Sequence, residues 1–201
     1  MRLSYALILL MISYAVAGQV TLPDFQSNAT QIDTLDKQQL LNLTSQYDFS
    51  ISLISHSPYY NITFYQVLGY KEGRWSQFIF YPIVYKNGEL KKGRTKIVKE
   101  KSNQHLCDSV FTKLVENKLF SMSRDSLNIY DKRVSDAVPE LKILHGGNYY
   151  DFVIRTKNKL RVVGSHEPDQ YHRGISEIEE RKYFLACRDS FYRLWKFPNL
   201  K

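Results

Sequence analysis

Apolar and polar residues change period along this chain, and the changes mark its elements. From Tyr47, the residues Phe49, Ile51 and Leu53 alternate with Asp48, Ser50 and Ser52, the two-residue rhythm of a strand with one wet face. His56-Ser57-Pro58 closes that run. Tyr60, Ile62 and Phe64 then alternate with Asn61, Thr63 and Tyr65 as far as Gly69, and Lys71-Glu72-Gly73 turns the chain. Residues 75–85 are apolar on both sides through Phe78, Ile79, Phe80, Tyr81, Ile83 and Val84, which predicts a strand that is central and covered on both faces. Pro82 has no N–H to give a ladder and predicts an edge or a bulge. Asn87-Gly88 tolerates positive φ and predicts a two-residue hairpin turn into a returning strand over 89–99.

The period then becomes helical. Ser102 is the expected cap of a helix over 103–117 that buries Leu106, Cys107, Val110, Phe111, Leu114 and Val115, and the Leu119-Phe120 pair beyond it is expected to pack back on the sheet. Residues 121–138 show no period and predict a long connection. Leu141 and Ile143 open another strand, broken at His145-Gly146-Gly147, and a hairpin over 149–163 turns at Lys157-Asn158. Ser176-Glu177-Ile178-Glu179 fits a capping box for a last helix that Pro198 stops. The pattern Cys-x-x-x-Phe-x-(Lys/Arg)-Leu occurs at 107–114 and again at 187–194, each time after a hairpin-like segment. That echo predicts strand-strand-helix twice, an internal duplication. The expected fold class is α+β: an antiparallel sheet of about six or seven strands with two long amphipathic helices on one face.

The ends change the picture. Met1-Arg2 followed by an apolar run closing on Ala15-Val16-Ala17 has the form of a secretory leader, so residues 1–17 are expected to be removed and the rest to act outside the cytoplasm, secreted or periplasmic. Residues 18–46 are polar and predict a tether with one short helix, capped by Asp33 or Thr34, in which Leu35, Leu40, Leu41 and Leu43 make a thin apolar face. Residues 47–201 are expected to be one domain without a membrane span. The 15 Tyr and 11 Phe supply large core side chains, and the net charge of +8 favours anionic partners or surfaces.

An exported chain with two cysteines permits one bridge, and the matched helical settings of Cys107 and Cys187 favour it over two buried free thiols acting as small hydrophobes; closing that loop would stabilise the fold by about 4–5 kcal/mol. Asn28, Asn42 and Asn61 each begin an N-glycosylation acceptor tripeptide, which matters only in a eukaryotic source.

For chemistry, the loop His166-Glu167-Pro168-Asp169-Gln170-Tyr171-His172, with His145 across the hairpin, gathers His166, Glu167, Asp169, His172 and His145 as candidate metal ligands or proton carriers. Their spacing matches no zinc signature, and a solvated polar loop is the simpler account. The Gly-x-Ser-x-Gly elbow, the phosphate-binding loop, the dinucleotide fingerprint and Cys-x-x-Cys are all missing from the sequence, and no cofactor is implied. Lys91, Lys92, Arg94 and Lys96 in the first hairpin and Arg155, Lys157, Lys159 and Arg161 in the second would form one anion-binding face if the hairpins lay side by side. Edge lysines also serve to resist unwanted strand pairing. No aromatics interleave the first run, which together with export argues against nucleic acid.

The exported leader, the strand-rich block and the helix end Val110-Phe111-Thr112-Lys113-Leu114-Val115-Glu116-Asn117-Lys118-Leu119-Phe120 together resemble small exported bacterial proteins of unknown function, in which a strand meander leads to a helix ending in a Leu/Phe pair. The resemblance spans about residues 60–195 and carries over no active-site residues. The expected function is an exported, non-catalytic binding or interaction module, of inhibitor or immunity type, meeting a protein or an anionic surface. The alternative is a small exported enzyme, a metal-dependent hydrolase centred on the 166–172 loop.

Overall fold

The computed structural model describes residues 20–32, 37–58, 62–84, 90–123, 127, 148–166, 168–169 and 178–195. Helix α1 (Lys37–Thr44) precedes strands β1 (Phe49–Ser57), β2 (Ile62–Lys71), β3 (Arg74–Val84) and β4 (Leu90–Glu100). Helix α2 (Gln104–Glu116), strands β5 (Tyr149–Thr156) and β6 (Leu160–His166) and helix α3 (Glu179–Tyr192) complete the described elements. The strands form one antiparallel sheet in the order β4-β3-β2-β1-β5-β6, so the protein is α+β.

Alternation sorts each strand's side chains between two faces, and both faces are buried. On the first, Phe49, Ile51 and Leu53 of β1, Leu68 and Tyr70 of β2, Trp75 and Ile79 of β3 and Phe152 and Ile154 of β5 form one apolar cluster. Phe111 of α2 meets Phe49 and Trp75 at ring separations of 5.7 and 5.5 Å. Phe184 and Phe191 of α3 both meet Phe152 edge-on at 5.6 Å. On the second face, Ile54, Tyr65, Val67, Phe78, Phe80 and Val153 are covered by Ile32 and by Leu40 of α1. The Tyr47 ring lies flat over Gly69, where an added Cβ would stand 2.6 Å from its Cγ, so this glycine is what lets the chain seat against the sheet.

Local chemistry explains the boundaries. Between β2 and β3 the paired Lys71 and Arg74 enclose Glu72 and Gly73, both at positive φ (50° and 79°) as a type I′ hairpin requires. Asp48 steadies the strained Glu72 by accepting its N–H at 3.0 Å. The register of β3 with β4 shifts between Pro82 and Val84, the bulge that the proline predicts. The Asn87-Gly88 turn itself lies outside the described residues. Asn103, one residue after the expected Ser102, caps α2 by accepting the Leu106 N–H at 3.2 Å. At the other end Lys118 takes φ 59°, with Lys118 N–H to Val115 O and Leu119 N–H to Leu114 O, a Schellman stop that drives Leu119 and Phe120 into the core. The strand expected at Leu141 and Ile143 and the capping residue Ser176 lie outside the described residues.

The expected disulfide is not formed: Cys107 and Cys187 are free and buried. Helices α2 and α3 do touch, but out of step. The Cys187 Sγ sits near the carbonyls of Asn117 and Leu114 (3.9 and 4.0 Å), and Cys107 lies about two turns, roughly 10 Å, before Leu114 on the same helix. A bridge needs Cα atoms about 4.4–6.8 Å apart. Burial pushes the Cys107 thiol up to about 12 and raises Cys187 as well, so neither is a reactive thiolate at neutral pH. Unreduced protein should therefore show no accessible thiol when native and two when denatured in a thiol titration. A denatured titre of zero would mean the bridge exists.

Candidate functional site

The two ends of the sheet are unlike. The β6 edge is closed by the chain's own N-terminal segment. Asn28 donates its backbone N–H to Leu160 O (3.2 Å) and its side-chain amide N–H to Val162 O (2.8 Å), while its Oδ1 accepts the Val162 N–H (2.7 Å). Ser27 Oγ accepts the Leu160 N–H at 3.1 Å. Phe25, just before, is buried in the first-face cluster, and Ile32, just after, is buried on the second, so the segment crosses over the edge from one face to the other. A strand edge left bare is a template for other chains, and this segment occupies it. Asn28→Ala should cost about 1–3 kcal/mol for the two side-chain hydrogen bonds. It should also promote self-association in sedimentation at high concentration; unchanged urea midpoint and monomer mass would mean the clasp is not closing that edge.

Three of the second basic group tie down what precedes β1: Lys159 and Arg161 this segment, Arg155 the end of α1. Arg155 donates to Leu41 O (2.7 Å) and Thr44 Oγ1 (2.8 Å) at the end of α1, Arg161 donates to Gln26 O (3.0 Å), and Lys159 pairs with Asp24. Lys157 is exposed. The first group lies on β4, at the opposite end of the sheet, separated from β5 and β6 by β3, β2 and β1. The hairpins are not side by side, so the eight residues do not make one face. On β4, Lys96 and Lys99 are exposed, with the Lys99 ammonium 5.8 Å from the centre of the Phe78 ring; the side chains of Lys91, Lys92 and Arg94 lie outside the description.

Of the loop proposed as an enzyme site, His145, Glu167 and His172 lie outside the described residues, and the two that remain diverge. His166 stacks on Tyr149 at 4.1 Å, in a second-face row that continues to His56 and Thr63. Asp169 instead makes a two-pronged ion pair with Arg188 of α3, whose guanidinium also meets Asp189 and lies 5.0 Å from the Tyr150 ring. Tyr150 is next to Tyr149 in sequence and therefore faces the other way. Burial works against the Arg188 charge, but the hydrogen bonds it donates to Asp169 and Asp189 outweigh it and raise its pKa. Burial likewise pushes the Tyr192 hydroxyl up to about 12, against the opposing 2.9 Å hydrogen bond with Ser55. These are groups held in fixed protonation states, unlike a general acid or base tuned to neutral pH. Among the described residues no three His, Cys, Asp or Glu side chains converge to hold a metal ion.

Two features escape a reading of the sequence. A cavity of about 280 Å³ lies between Asn28, Gln31 and Ile32 and the strand residues Ile54, Asp151 and Val162, somewhat smaller than the roughly 300–1,000 Å³ of drug-sized ligand sites. Gln66 is 1 % exposed, with no hydrogen-bond partner for either end of its amide among the described residues. Its apolar neighbours Leu53 and Ile79 offer none. Gln66→Leu should raise stability by about 1–3 kcal/mol by removing an unsatisfied buried amide, and a loss in a urea titration would instead mean that the amide is bonded in solution.

The chain matches no protein-family model and no curated protein. Among the described residues no helix is long and apolar enough to cross a membrane.

Proposed function

We propose that this protein is a secreted or periplasmic, non-catalytic interaction module of inhibitor or immunity type that meets a protein or an anionic surface along the β4 end of its sheet. The observation that carries this reading is the inequality of the two edges. One is closed by the chain's own Ser27 and Asn28, while β4 ends the sheet with no described strand beyond it and a sequence rich in lysine. Within the module we take α2 and α3 as two helices on one sheet face, and β3-β4-α2 and β5-β6-α3 as two copies of one unit. The matching order of elements supports that view.

The test compares wild type with a variant carrying Lys91→Gln, Lys92→Gln, Arg94→Gln and Lys96→Gln. Each is used to capture partners from the exported fraction, and any partner recovered is then purified and titrated. The variant should fold normally, bind a cation exchanger less strongly and lose the partner. A partner held equally by both proteins would remove β4 from the interaction, and turnover of a small molecule by the purified protein would favour the enzyme instead.

A further inference from the structure

We infer that the partner offers an acidic extended segment that adds to β4 as a further strand of the sheet, an inference that rests on the β4 reading just given. Four observations lead there. First, β4 is an eleven-residue strand whose inner side pairs with β3, and in an antiparallel sheet alternate backbone N–H and C=O groups of a terminal strand point outward. Second, the second-face row Ile54, Tyr65, Phe80, Ile97 crosses four strands in register and is buried until its last member, where Ile97 stands 41 % exposed at the edge. An apolar residue on an added strand would continue that row and cover Ile97. Third, Lys99 flanks Ile97 on the same face and Lys96 stands on the other, both exposed, so carboxylates on the added strand would meet ammonium groups as cross-strand pairs. Fourth, the same charges discriminate among strands. A second copy's β4 would set lysine against lysine and be repelled, and its β6 edge is already occupied by its own Asn28. An acidic strand is the one they admit.

Main-chain hydrogen bonds would supply affinity and the alternating side chains selectivity, as in other strand additions. The β6 edge shows a related contact within this molecule, because there the outward backbone groups of Leu160 and Val162 are already met by another part of the chain, through one Asn28 backbone N–H and the side chains of Ser27 and Asn28.

The probe is a short peptide alternating glutamate and threonine around one central valine, titrated by fluorescence anisotropy at low salt and followed by amide hydrogen exchange. It should bind and slow exchange at β4 amides. Methylating alternate peptide nitrogens, which blocks strand pairing but keeps the charge, should weaken binding by about tenfold or more. Lys96→Glu with Lys99→Glu should weaken it by about tenfold while leaving the melting curve unchanged. Equal binding of the methylated and unmethylated peptides, or protection at sites other than β4, overturns strand addition. So does failure of the acidic peptide to bind. If the glutamine variant described above still loses its partner in that event, the β4 reading survives; if it keeps the partner, both fall.

Discussion

Phe191→Ala should lower the unfolding free energy by about 3–5 kcal/mol, the cost of deleting a fully buried aromatic ring from a packed core. Phe191 is the point where α3, β5 and the chain's last described turn meet: its ring stands edge-on to Phe152 at 5.6 Å and against Trp195 at 4.8 Å, and it has no exposed surface. Its neighbours have little freedom to fill the gap. Phe152 is held on its other side by Phe184, and the carbonyl of Leu194 is fixed by the Gln77 amide at 2.8 Å. In urea the midpoint should fall with little change in slope. A loss below about 1 kcal/mol would show that α3 is not seated on β5 as described.

Leu40→Ala should cost about 2–5 kcal/mol, and its interest lies in where the residue is. It belongs to a stretch whose composition is that of a tether, and in a tether the substitution would stay within about 0.5 kcal/mol. Here Leu40 is fully buried against the second face, with Ile32 beside it and Arg155 tying the end of α1 down through Leu41 O and Thr44 Oγ1. The loss should appear in the single global transition of the protein. A separate early transition would mean that α1 unfolds independently of the sheet.

That contrast shows what a sequence carries and what it leaves out. The alternation at Phe49, Ile51 and Leu53 and the two-sided run around Phe78 to Tyr81 are properties of neighbouring residues, and both give strands where expected, although the Ser50 and Ser52 face, expected to be wet, is buried. The α2 pattern and the Pro82 bulge are local in the same sense. Phe25 and Ile32 carry no period, because each is a single anchor in an irregular segment whose burial is decided by strands far along the chain. The free cysteines fail for a related reason. Matching positions in two helices do not fix how far one helix slides past the other, and here the offset is about two turns. At the candidate site the basic character of β4 was plain, whereas the structural duty of Arg155, Lys159 and Arg161 was invisible, since their partners Leu41, Asp24 and Gln26 are more than a hundred residues away. The divergence of His166 from Asp169 follows from strand alternation at one and a helix contact at the other, and only the first is written locally.

The strand order also has consequences in time. Strands β1 to β4 succeed one another in sequence and in space, so their pairings close short loops and form early, whereas the β1–β5 seam joins Phe49 to Thr156 and waits for the whole intervening chain. A chain emerging from its amino end therefore carries a four-strand sheet on which β1 is a temporary bare edge. The Ser27-Asn28 clasp is made before any strand, yet it cannot seat until β6 is in place, because the edge it closes belongs to β6. During that interval the growing chain has two open edges, and the lysines of β4 guard only one of them.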